Sequence, residues 1–161
     1  MSRYRSCLAL LAFALMAVPL GAQRPDSAMV GAWMGAAHIN VDWTQQKELD
    51  VRVAIYADGT IAGSVGDAAL VDAHIHTNRS VLERALHLGS DYIIEAGLAG
   101  PIIRAEGIQR ESVRLPINWN GSTFVGTIST SGTYDGGKDT MKLSATGLVL
   151  RRALPVVSSI R

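Results

Sequence analysis

Cysteine is nearly absent from this 161-residue chain, and the single one, Cys7, lies inside the N-terminal apolar run. Beyond residue 22 there is none. That absence excludes disulfides, thiol nucleophiles and thiolate metal sites from the rest of the chain, and leaves core packing to hold its fold. Charge is scarce too, at 18% of residues against 48% hydrophobic ones, a balance that excludes a disordered chain. The 15 Lys+Arg face 14 Asp+Glu, so the basic excess of a dedicated nucleic-acid binder is missing. A chain of this length corresponds to one domain, large enough to bury roughly two-thirds of its unfolded surface.

The N-terminus reads separately from the remainder. Arg3 and Arg5 precede an apolar run from Cys7 to Leu20, interrupted by Pro19, and Leu20-Gly21-Ala22 supplies small residues before Gln23. This layout predicts a secretory signal peptide over residues 1–22, too short to span a bilayer comfortably. Cys7 begins the apolar run, whereas a lipoprotein cysteine follows it. The expectation is an exported protein, periplasmic or secreted, without membrane insertion after cleavage. Residues 23–152 then form a single domain and residues 153–161 a tail.

Alternation with period two dominates the mature chain. Leu49, Val51, Val53 and Ile55 alternate with polar or small residues, then Ala57-Asp58-Gly59 turns into Thr60–Gly66. A three-residue loop with Gly59 left-handed pairs Ile55 with Ile61 and Val51 with Val65, which keeps the apolar face continuous. On the next strand Val71, Ala73 and Ile75 share one face, and Asp72, His74 and His76 the other. Ser80-Val81-Leu82-Glu83 is a capping box that opens one short helix ending near Gly89. Tyr92, Ile94 and Ala96 resume the alternation, and Gly100-Pro101 leads into a further strand over 102–106. Val113, Leu115, Ile117 and Trp119 run up to Asn120-Gly121, a type I′ turn signal that pairs Ile117 with Phe124 and Leu115 with Gly126. A last strand extends from Met141 to Leu150. About nine strands with short connections predict an all-β antiparallel meander, closing into a barrel, with a sandwich as the alternative.

Gly31-Ala32-Trp33 resembles the G-x-W signature on the first strand of lipocalins and related calycin barrels. The resemblance implies an up-and-down barrel in which Trp33 closes one end beneath a late basic residue, here Arg151 or Arg152. The G-x-W followed by a D-G hairpin is also similar to avidins, although three Trp are few for an aromatic-walled pocket.

Three sets of residues bear on function. Trp119, with Ile117 and Phe124, is the candidate ligand contact. It ends an inward series beside a turn, where an indole offers an apolar face and a hydrogen-bonding edge; Trp33 is expected in the opposite closure or in the wall. Inward Gly63, Ala96 and Gly126 either leave a cavity or let the strands coil tightly. Asp72, His74 and His76 share a strand face and could hold Zn²⁺ with His38 or His87, against the plainer reading of a solvated polar face. No cofactor is expected. Ala62-Gly63-Ser64-Val65-Gly66 departs from the G-x-S-x-G esterase pattern and lies on a hairpin strand. Asp135-Gly136-Gly137-Lys138 reads as a turn, and no spacing pairs Asp91, Glu95, Glu106 or Glu111 for acid–base work. The expected function is therefore a non-enzymatic exported barrel that binds a small apolar ligand. A structural or protein-interaction module with a filled core is the alternative, and a metal-dependent hydrolase a lesser one.

Overall fold

Eight antiparallel strands follow one another around a closed barrel in which the last pairs with the first. The computed structural model describes residues 25–78, 89–104, 108–134 and 139–153. The expected signal peptide, the helix after Ser80, the Asp135–Lys138 turn and residues 154–161 lie outside the described residues. The strands are β1 (Gly31–Ile39), β2 (Glu48–Ile55), β3 (Thr60–Val65), β4 (Ala68–Thr77), β5 (Tyr92–Ala99), β6 (Gln109–Trp119), β7 (Phe124–Tyr134) and β8 (Asp139–Arg152). A 3-10 turn, Ser27–Met29, precedes β1. The chain is thus an all-β meander closed into a barrel, and the sandwich alternative falls.

Among the described residues eight strands stand where nine are expected, because residues 102–104 after Pro101 do not extend. Ile102 and Ile103 are consecutive and both buried in the core, and the backbone there bends without joining a strand ladder. Gly100 turns the backbone at φ 93°, and Asp67 N–H donates to the Ile102 carbonyl, so the segment folds across one barrel end as a loop.

Two hairpins test the sequence-based registers. In β2–β3, Ile55 pairs with Ile61 and Val51 with Val65, as the three-residue loop requires, and Gly59 has φ 87°. In β6–β7 the pairing is Trp119 with Phe124 and Ile117 with Gly126, two residues away from the expected register. Asn120 is the reason. Its Oδ1 accepts from the N–H groups of Ser122 and Thr123 at 3.1 and 2.8 Å, which stabilises a longer loop than the type I′ turn. A shift of two leaves the faces unchanged, so the inward set survives the error.

The interior is packed. Inward side chains from all eight strands join in one apolar cluster. Leu49, Val51, Val65, Ile94, Leu115, Ile117, Phe124, Leu148 and Leu150 each show 0% exposure. A void large enough for a ligand would leave its lining side chains accessible to a water-sized sphere, and these have no such surface. The inward glycines belong to the same picture. A Cβ at Gly63 would overlap the Arg52 carbonyl, and one at Gly126 the Pro116 carbonyl. They mark places where neighbouring strands approach closely, which resolves the choice between cavity and tight coiling in favour of coiling.

Candidate functional site

One barrel end is sealed by aromatic rings. Trp33, fully inside, donates Nε1–H to the Met29 carbonyl at 2.8 Å, which ties β1 to the 3-10 turn beneath it. Asp26 Oδ1 in turn accepts from Ala28 N at 3.0 Å and caps that turn. Trp33 meets Trp119 and Phe124 edge-on, with ring centroids 5.4 and 4.9 Å apart, and Trp119 and Phe124 lie 4.6 Å apart. Edge-to-face packing of this kind suits the ring quadrupoles. Trp119 therefore sits at the same end as Trp33, not the opposite one. The topology dictates it: β1 begins where β6 finishes and β7 begins. Ile117 and Phe124 are buried in the core beneath, and only Trp119 of the three expected ligand contacts retains partial exposure.

Arg152 covers Trp33. Its Cζ lies 4.6 Å from the ring centroid, and its Nη1 and Nη2 donate to the carbonyls of Val30 and Ala28 at 3.1 and 2.7 Å. Arg151 pairs with Met34 on the outer face and takes no part. The choice between the two neighbours is made by an irregularity upstream. Ala145 faces inward, Gly147 has φ 69°, and Leu148, Leu150 and Arg152 then resume the inward face. Gly31 completes the arrangement, because a Cβ there would overlap Arg152 Nη1.

The opposite end holds a residue that sequence reasoning passed over. Arg110 is fully buried, with its Cζ 5.6 Å from the ring of Trp43. Alternation read back from Val113 puts Arg110 on the outer face, but the register shifts between Arg110 and Ser112, and Arg110 is buried like Ile108 two residues before it.

The outer wall carries the remaining candidates. A groove of about 520 Å³ crosses β4 to β8 and is lined by Asp72, His74, Glu95, Arg114 and Lys142 among others. His74 and His76 lie side by side on β4, ring centroids 5.9 Å apart. Asp72, the third member of the expected set, does not continue the alternation of the two histidines. Asp72 has φ 50°, in a bulge between Val71 and His74, and this breaks the alternation. Val71, expected inward, is exposed as a result, while Leu70 and Ala73 pack inward on either side of the bulge. The residue that joins the histidines is Glu95, paired with His74 across β4–β5; ligand atoms of His74, His76 and Glu95 all lie within 4.8 Å of one another. Glu95 Oε1 also receives Arg114 Nε at 3.3 Å. His38 is on β1 opposite Glu48, and His87 lies outside the described residues. Ser64 is an ordinary β3 residue paired with Arg52 and Ala69.

No family model matches this chain, and no curated protein or solved structure is significantly similar to it.

Proposed function

We propose that this is an exported, non-enzymatic barrel module whose interior is structural and whose recognition of another protein takes place on its outer wall. The observation that carries the reading is the packed interior: nine inward side chains spread over β2, β3 and β5 to β8 have no accessible surface. A small apolar ligand needs a pocket of roughly 300 Å³ or more, largely enclosing it. The outer wall supports the same reading, since Met34, Val125 and Val149 are exposed on neighbouring strands β1, β7 and β8. Val125 pairs with Val149, and Val149 with Ala36, so the apolar residues adjoin across the sheet. The Gly31, Trp33 and Arg152 closure is similar in layout to that of lipocalin-like barrels, here with a filled centre. Export rests on the Arg3–Ala22 segment, and intact mass of the secreted or periplasmic protein measures it.

Native mass spectrometry with a fatty-acid and hydrocarbon probe panel, read by tryptophan emission, tests the packed interior. The expected result is a bare polypeptide mass and unchanged emission. A retained apolar molecule, with an emission change abolished by Trp119→Phe, overturns the reading in favour of a binder.

A further inference from the structure

We propose that His74, His76 and Glu95 form a binding site for one divalent transition-metal ion on the outer wall of the barrel. The site is independent of what fills the interior. Three steps build it. Past the bulge, β4 runs extended, so His74 and His76 at i and i+2 stand on one face. The β4–β5 register then sets Glu95 directly opposite His74. Their ligand atoms lie within 4.8 Å of one another. A tetrahedral ion with bonds of about 2.0–2.1 Å holds its ligands roughly 3.3 Å apart. Closing that difference is a matter of side-chain rotation, because none of the three residues is buried.

The hydrogen bonds around the set point the same way. His74 Nδ1 lies 3.1 Å from the Asp72 carbonyl. A carbonyl only accepts, so Nδ1 carries the hydrogen, and in the neutral ring Nε2 keeps its lone pair for a ligand. Metal-binding histidines are commonly fixed in this manner, by a backbone carbonyl on the ring's other nitrogen. The left-handed turn at Asp72 delivers that carbonyl, so the residue acts through its main chain while its carboxylate stays outside the set. Arg114 Nε holds one oxygen of Glu95 and leaves the second available. The Arg114 charge opposes a cation, but its side chain is 57% exposed and screened by solvent. Two imidazoles and one carboxylate suit Zn²⁺ and its first-row neighbours better than Mg²⁺ or Ca²⁺, which favour all-oxygen sets. Three protein ligands leave a coordination position for water, next to the groove that His74 and Glu95 line.

Calorimetric titration of Zn²⁺ into the tag-free protein tests the site. The expected result is one equivalent bound with micromolar or tighter Kd. His74→Ala, His76→Ala and Glu95→Gln should each weaken binding by roughly tenfold or more, while Asp72→Asn leaves it unchanged. Imidazole ¹⁵N spectra of the unsubstituted protein provide a readout that needs no variant: His74 and His76 should shift with Zn²⁺, and His38 should not. Absence of heat at tens of micromolar protein, binding that survives both histidine substitutions, or shifts confined to His38 would overturn the assignment.

Discussion

Gly31, Trp33 and Arg152 form one unit, in which the two side chains carry different costs. Trp33 fills the end of the core and bonds to Met29, so Trp33→Ala should lose roughly 3–5 kcal/mol. Arg152→Ala removes a cation–π contact and two bonds to carbonyls in a partly solvated setting, so about 1–2 kcal/mol is expected. Arg151→Ala should stay within about 0.5 kcal/mol, since that side chain is exposed on the outer face. Urea denaturation of the three variants orders them; equal losses for the two arginines would contradict the assignment. The motif was legible in the sequence, but which arginine serves it was not. Inward parity read from Leu143 and Ala145 would select Arg151, and only the break at Gly147 transfers the role to Arg152. Glu95 escaped for a related reason. Its place beside His74 depends on the register across β4–β5, whose long connection fixes no register in the sequence, whereas short hairpin loops do.

Bulges and turns decide what each strand presents. Asp72 holds φ 50°, a conformation that Asp tolerates and β-branched residues do not, so Asp72→Val should destabilise by about 1–2 kcal/mol. The same change should redirect Val71 toward the core, and amide hydrogen exchange along β4 would report it. The β2–β3 turn makes a pH prediction. The Thr60 hydroxyl, and then the Thr60 N–H, donate to Asp58 Oδ1 at 2.6 and 2.9 Å and hold this carboxyl below the usual carboxylate range. A pKa lowered by folding contributes stability that is present above the unfolded value, about 3.9 for Asp. It is lost as pH falls through the folded value. The turn should therefore loosen at acid pH, and Asp58→Asn should remove that dependence in an NMR titration of the Gly59 and Thr60 amides. A turn with one glycine at the required left-handed position was readable; the Asn120 loop misled because its side chain, not its backbone, sets the loop length.

Closure of the barrel joins strands from opposite ends of the chain, with Trp33 opposite Arg152. Such pairing gives no local signal and must await the rest of the meander, which also makes closure a late and entropically costly event in folding. Alternation made most of the strands and their one-sided burial readable, and one-sided burial over so many strands demands a partner sheet or closure. What tips the balance to closure is the strand geometry, and the glycines carry part of it. Gly35 lies on β1 at the seam, where it pairs with Leu150, and a Cβ there would overlap the Val149 carbonyl. Gly121 offers the contrast: its φ is 93°, yet a Cβ would meet nothing within 4 Å. Substitution at Gly121 costs backbone strain alone, roughly 1–2 kcal/mol, and leaves the ladders intact. Gly35→Ala instead pushes β1 away from β8, and a barrel with a broken seam acquires two free edges and exposes core residues to water. Its cost should exceed that of Gly121→Ala and reach about 3 kcal/mol, the upper part of the overpacking range. Hydrogen exchange distinguishes the two mechanisms. Gly35→Ala should lower protection along β1 and β8 together, while Gly121→Ala should affect its own loop. If Gly35→Ala left the β1 and β8 amides as protected as in the parent protein, the seam would not depend on that close approach.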